Sequence, residues 1–428
     1  MRALATLVVS LALAAPASAQ TPLTLERALE LARENNRDLT GARERVRQAE
    51  ADVALARASL LPTAALQGRY TRNENEIAFD LGGASVTMQE KDQYTGTASV
   101  NVPLLVPPAY PGLSAAKHGR KASEATFEAT TADVLLATAQ AYFAAASTDE
   151  LLAARREAIA VTQRTRSDAK VRLEAGAASP VDVTRAELAV VQAEQAVTEA
   201  ADARESAYRA LSTLVQLREP FTVAPASRDA AALGDVEALT QRALRTRPEL
   251  RALDETALAF DAQAKSHAWR WAPTVSAFGT ATQTSAAGLG GDESTWIAGI
   301  QLDWSLFDGG SRDADRRRAE SQRREAEAQL ARERDAIADA VADDARAVET
   351  RRSAVAAAER GVALADQTLG IVRTQYEAGA AAQIELLQAQ DDLVNARVSL
   401  AQARFDLSVA DLQLRRSVGE FPGPVAAR

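Results

Sequence analysis

RLEAGAASPVDV at residues 172–183 and QYEAGAAAQIEL at residues 375–386 are two copies of one signal. In each, a long helical pattern stops at a glycine and a second helical pattern begins within a few residues. Glycine accepts φ > 0 at little cost, so it is the usual residue for reversing the chain after a helix. Plain capping is enough to account for Gly176 and Gly379, and by itself it assigns them no function. The two glycines stand 203 positions apart, however, and that spacing leads outward to the rest of the chain.

The segment from Ala28 to Leu39 matches the one ending at Leu250, and Pro62 matches Pro273, both at a spacing of 211. The spacing then falls to 202, pairing Tyr94 with Trp296, Val100 with Leu302 and Val102 with Trp304. One shorter loop in the second copy explains the change. The chain reads as a tandem duplication, which the search for internal repeats makes the first architectural fact.

Periodicity changes in the same order within each copy. Helical pattern runs from about Thr24 to Leu61 and from about Asp235 to Trp271, and Pro62 and Pro273 end it. Alternation follows. In Gln93 to Leu104, Tyr94, Gly96, Ala98, Val100 and Val102 fall on one face, and Thr95, Thr97, Ser99 and Asn101 on the other. Thr295 to Ser305 repeats this, with Trp296, Ala298, Ile300, Leu302 and Trp304 on the apolar face. Thr63 to Arg72 and Thr274 to Thr284 are weaker preceding strands, and Asn73 to Asp92 and Ser285 to Ser294 read as polar or glycine-rich loops. Strands of ~10 residues suit a tilted membrane strand, with Tyr94, Trp296 and Trp304 near strand ends as an interfacial belt. A soluble hairpin alternates in the same way, so the pattern alone leaves both readings open.

From Pro111 to Ala175, and from Ser311 to Ala378, almost nothing breaks the helical pattern. Each such helix would reach ~100 Å. In the last helix Leu386, Leu393, Leu400, Leu407 and Leu414 recur every seven residues, with alanines three places later. Val341, Val348, Val355, Val362, Leu369 and Tyr376 form the same seam in the preceding helix, and Val183, Val190, Val197 and Leu211 answer in the first copy. A seven-residue repeat means left-handed coiled packing.

Composition narrows the class. Aromatics are 4% of the chain within a hydrophobic fraction of 47%, so alanine supplies most of the rest and favours close helix approach over one large core. A net charge of -9 argues against a nucleic-acid partner. There is no cysteine, which excludes a disulfide framework, a thiolate metal site and an acylated cysteine. Arg2, the apolar run Leu4 to Ala15 and the small residues Ala17-Ser18-Ala19 read as an export signal covering 1–19. No later stretch offers ~20 consecutive apolar residues, which excludes a transmembrane helix.

The export signal, the duplicated helix–hairpin–helix–helix unit, LLP before a strand, WSLFDGG after one and YEAGAAAQIELL at a helical turn together resemble the TolC-like outer membrane efflux proteins. The resemblance covers nearly the whole mature chain. Leu104-Leu105-Val106-Pro107-Pro108 departs from the second-copy exit Leu306-Phe307-Asp308-Gly309-Gly310 by using prolines. The resemblance implies an α+β membrane protein. Long coiled α-helices would form a periplasmic α-barrel, continuous with a transmembrane β-barrel to which each protomer gives four strands. The expected organisation is a signal peptide at 1–19, a first efflux repeat at 20–218, a linker at 219–235, a second repeat at 236–418 and a tail at 419–428. The protein would be a homotrimer in outer-membrane lipid, extending into the periplasm and meeting a periplasmic adaptor and an inner-membrane transporter. Its expected role is passive export of small molecules or proteins, as the exit duct of a tripartite efflux or type I secretion system.

The resemblance also assigns candidate residues. Ala175-Gly176-Ala177 and Ala378-Gly379-Ala380 resemble the small-residue tip that seats an adaptor hairpin. Asp182 and Tyr376 fall where a link between neighbouring helices closes the tunnel, and the family's arginine partner is Ala381 here. Glu385 falls on an acidic-ring position of the channel gate, and Gln388 replaces the second acid. Glu385 equally suits a solvated first-turn acid at a helix N-terminus. Neither histidine, His118 nor His267, belongs to a spaced ligand set, and no metal, cofactor or catalytic constellation stands out. A periplasmic adaptor would need extra compact β domains, and a purely structural coiled coil leaves the four strands unexplained. An enzyme is the least supported class.

Overall fold

The computed structural model describes residues 22–81, 84–224, 234–285 and 292–420. The export signal, most of the linker and of the Ser285–Ser294 loop, and most of the tail lie outside these residues.

The element order is α1 (Leu25–Asn35), α2 (Arg37–Ala58), β1 (Thr63–Arg72), β2 (Ile77–Leu81), β3 (Ala84–Gln89), β4 (Asp92–Leu105), α3 (Ala109–Glu174) and α4 (Pro180–Val215). Then come α5 (Val236–Thr246), α6 (Pro248–Trp269), β5 (Thr274–Thr284), β6 (Ser294–Asp303), α7 (Ser311–Glu377) and α8 (Gln383–Val418). Apart from β2 and β3, each element of the first half returns in the second. Leu25 and Val236 open the first helices at the 211-residue spacing, and Pro180 and Gln383 open the last at 203.

The first helical segment of each half is two helices rather than one. Asn36 interrupts the first with an extended backbone, and its side-chain amide donates to the Leu214 carbonyl at 3.1 Å. Arg247 interrupts the second at the matching position, and Pro248 restarts the helix at N1, where its missing N–H costs nothing. α2 and α6 end at Ala58 and Trp269, four residues before Pro62 and Pro273, so the prolines stand at strand entry.

The region read as a polar loop, Asn73 to Asp92, instead contains the antiparallel hairpin β2–β3, with Ile77 opposite Gln89 and Leu81 opposite Ala84. Its acids and paired glycines hid two short strands, whose base is also tied by Asn73, donating to the Glu90 carbonyl at 2.7 Å, and by Gln89, donating to the Asn75 carbonyl at 3.1 Å.

The chain divides into two compact units. One takes the described part of Arg37–Asp133, Leu233–Arg346 and Leu414–Arg428 and holds an antiparallel sheet in the order β1-β4-β5-β6. Register decides what its faces carry. Leu66 pairs with Ala98, Ala98 with Ala281, and Ala281 with Trp296. Val102 pairs with Ala277, and Ala277 with Ile300. Directly paired residues share a face, so the apolar sets of all four strands coincide on one side. The other face is mostly threonine, serine, glutamine and asparagine, with Arg69, Phe278 and Ile297 among them. The apolar face is not packed against the chain, since Leu66 is 86% exposed, Trp296 78% and Ile300 73%.

The other unit takes the described part of Met1–Asn36, Val134–Ala232 and Ala347–Gln413. Here Tyr142, buried, donates near the Leu23 carbonyl at 3.0 Å and the Ala224 carbonyl at 2.7 Å, beside the parallel bridge of Leu23 with Val223. The heptad seam of α7 and α8 is visible as a cluster of Leu369, Tyr376, Leu386, Ala389 and Leu393. Among the described residues no helix is long and apolar enough to cross a membrane, a statement that does not bear on strands.

Candidate functional site

Both helical turns close in the same way. Gly176 has φ 73° and donates to the Leu173 carbonyl at 2.9 Å, while Ala177 reaches back to the Arg172 carbonyl at 2.8 Å. Gly379 has φ 77° and donates to the Tyr376 carbonyl, while Ala380 reaches the Gln375 carbonyl at 2.8 Å. This pair of bonds is the Schellman closure, which satisfies the last carbonyls of a helix and needs the left-handed residue that glycine supplies. Ala175, Gly176, Ala177, Ala378, Gly379 and Ala380 are all exposed, so each turn presents a smooth surface of small residues.

α4 begins on a capping box. The Asp182 carboxylate accepts from the Ser179 N–H at 3.0 Å and the Ser179 hydroxyl at 2.9 Å, and Pro180 occupies the first turn. Asp182 is therefore engaged within its own helix. Its carbonyl accepts from the buried Gln383 side chain at 3.1 Å, which ties the start of α4 to the start of α8.

Tyr376 is buried, and its partner is Arg172. The guanidinium lies 4.2 Å over the ring and donates to the Tyr376 carbonyl at 3.3 Å. Burial pushes the Tyr376 hydroxyl above its ordinary pKa, with Asp182 and Asp168 adding to this and Arg172 opposing it. The arginine beside Tyr376 thus comes from α3. Ala381 itself packs half-buried against the Leu369–Leu393 cluster, where a charged side chain would be desolvated. Sequence reasoning missed Arg172 because a cation over a ring on another helix leaves no periodic trace. Its only signal was a basic residue in the last turn of α3.

Glu385 stands exposed in the first turn of α8, and Gln388 is exposed three residues later. Deeper in the same unit, Gln390 and Thr165 form a buried polar pair, with the amide donating to the hydroxyl at 3.1 Å. His118 meets Glu255 at 2.6 Å, and among the described residues no three His, Asp or Glu side chains gather as a metal site would require.

The profile of the outer membrane efflux protein family matches residues 28–215 and 239–420. The chain belongs to that family. Its outer-membrane location and its general role in efflux follow from membership. This efflux protein is 24% identical to the outer membrane efflux protein BepC of Brucella suis over 402 residues, covering 92% of this chain and 85% of BepC. Among solved structures it superposes on CusC with a TM-score of 0.79 at 17% identity, covering 94% of this chain and 93% of that one. The Campylobacter jejuni CmeC outer membrane channel gives a TM-score of 0.76 at 18% identity, covering 92% of this chain and 85% of CmeC. These likenesses show the fold of outer-membrane channels, and the family consists of channels rather than enzymes.

Proposed function

We propose that this efflux protein is the passive exit duct of a tripartite efflux or type I secretion system, built as a homotrimer around one tunnel. The observation that carries the reading is the sheet, whose single apolar face is exposed while its two outer strands, β1 and β6, keep one edge each. Four strands enclose too little for a lumen, whereas three protomers would supply ~12. An even number of antiparallel strands leaves β1 and β6 running in opposite directions. A copy's β6 can therefore pair antiparallel with the next copy's β1, and closure removes the edges that lipid does not tolerate.

The apolar face then meets lipid and the hydroxyl-rich face lines the lumen. The long helices carry the tunnel into the periplasm, where the exposed turns at Gly176 and Gly379 seat an adaptor. That adaptor couples the duct to an inner-membrane transporter, which supplies the energy. Three copies of Glu385 facing one axis form the acidic ring of the gate, with Gln388 as a neutral second layer.

Purified from outer-membrane fractions in detergent, the protein should have the mass of three protomers and conduct ions across a planar bilayer. Multivalent cations should block that current. Glu385→Ala should relieve the block about tenfold in concentration, as expected when clustered carboxylates that favour cations are lost. A soluble monomer defeats the duct reading, and unchanged block in the variant defeats the ring.

A further inference from the structure

The two inner strands, β4 and β5, lead into α3 and out of α6, and between those helix ends lies a cavity of about 650 Å³. Its walls are apolar and aromatic, with Leu105, Pro107, Tyr110, Leu258 and Trp269. Leu105 pairs with Val275, and Val275 with Leu302, so Leu105 belongs to the exposed apolar face of the sheet and the cavity is continuous with it. Beside it, Ser266 donates its hydroxyl to the Pro108 carbonyl at 2.7 Å and ties α6 to the start of α3.

The polar end carries one charge of each sign. Lys265 and Asp261 are paired at 2.7 Å, both within reach of solvent, with Ser114 and His118 also lining the cavity. His118 faces Glu255, which also meets Lys121 at 3.4 Å. The volume suits a small amphiphile rather than a protein segment. Tyrosine and tryptophan combine an apolar body with a polar edge and favour the boundary between hydrocarbon and water. A lone anionic headgroup at Lys265 would sit against Asp261. A zwitterion satisfies both.

We propose that this cavity is a headgroup site for a zwitterionic amino-phospholipid of the leaflet bordering the helical end of the sheet. The phosphate lies at Lys265, the ammonium at Asp261, and the acyl chains run over Leu105 onto the apolar face. Because β4 and β5 are inner strands, the lining of the site comes from one chain and includes neither edge strand. The inference rests on the reading of that face as lipid-facing.

The test is native mass spectrometry of the full mature chain, delipidated in maltoside and titrated with phosphatidylethanolamine or with phosphatidylglycerol of the same acyl chains. One phosphatidylethanolamine per chain should survive activation that strips the remaining lipid, and phosphatidylglycerol should be held several-fold more weakly. Lys265→Glu, at an exposed position, should weaken retention about tenfold. Ala262→Trp, which fills the cavity, should abolish it, and Arg323→Ala on α7 should leave it intact. Equal retention of the two lipids, or of one lipid across all variants, overturns the site. The same spectra report the protein mass. Three chains without retained lipid would sink this site alone, and a single chain that retains it would sink the assembly alone.

Discussion

Arg312 is the largest fully buried side chain among the described residues, yet it carries a charge. Its guanidinium stacks 3.8 Å from the Trp271 ring, donates to the carbonyls of Arg270 at 3.0 Å and Ser305 at 2.8 Å, and lies 2.9 Å from the Asp308 carboxylate. These groups join the end of α6, the exit of β6 and the start of α7. Arg312→Leu would leave both carbonyls without their donor and should cost ~3 kcal/mol. Arg312→Lys should recover less than half, because an ammonium neither forks nor stacks equally well. Thermal unfolding in detergent followed by tryptophan fluorescence measures both, and an unshifted midpoint would refute the role. The neighbouring Arg316 and Arg323 instead pair along the helix with Glu320 and Glu327 one turn on. Arg312 was not legible, since only the strand exit beside it makes that one arginine buried. Glu249 gives a second test at this scale. Burial alone would raise its pKa, but the hydrogen bonds from Arg247 and Arg416 outweigh burial and lower it to about 2. The folded value lies below the ordinary one, so its stabilisation is complete above about pH 4.5 and disappears as pH falls toward 2. At ~1.4 kcal/mol per tenfold in proton affinity this is on the order of 3 kcal/mol. Glu249→Gln should flatten the acid limb of the melting-temperature profile, and an identical limb would refute the assignment.

At the level of elements, what repeats was legible and what depends on one partner was not. Leu386, Leu393 and Leu414 of the heptad are buried, and Leu400 and Leu407 are half-buried. Amphipathic helices of this length reveal themselves through sustained period, because each turn samples the same environment. The breaks at Asn36 and Arg247 were missed because neither changes that period. Only Pro248 and the asparagine pair marked them. The hairpin β2–β3 was missed for the opposite reason, since strands of five and six residues give too few alternations to count. The turns at Gly176 and Gly379 were read correctly as glycine reversals, but the Arg172–Tyr376 stack joins two helices and shows in neither pattern. Leu393 is 7% exposed within the seam cluster, so Leu393→Ala should cost ~2–3 kcal/mol through lost burial and a residual cavity. Guanidinium unfolding monitored by helical circular dichroism would register this, and a shift within error would mean the seam is not a packed core.

For the whole molecule, the decisive feature is that the sheet has two edges and one apolar face. A head-to-tail contact between a β6 edge and a β1 edge is heterologous, and such contacts either close into a ring or grow without limit. Barrel geometry selects between them, because strand tilt and stagger fix the number of strands at which the sheet meets itself. If each chain supplies four, closure after three copies leaves no free edge, and growth stops there. The absence of cysteine from the sequence makes this directly testable. One cysteine introduced along β1, between Leu66 and Tyr70, and one along β6, between Trp296 and Ile300, should form disulfides only between chains. At least one pair in such a scan should oxidise to a denaturant-resistant species of three chains, with a two-chain species as its only precursor and nothing larger. Cysteines placed on β4 and β5, which already hydrogen-bond to each other, should cross-link only within one chain. Oxidation that halts at two chains would mean a symmetric edge-to-edge dimer. A ladder running past three would mean that the sheet does not close. In either case the proposed lumen, the proposed gate at Glu385 and the proposed adaptor seat at the glycine turns would not line up along one threefold axis.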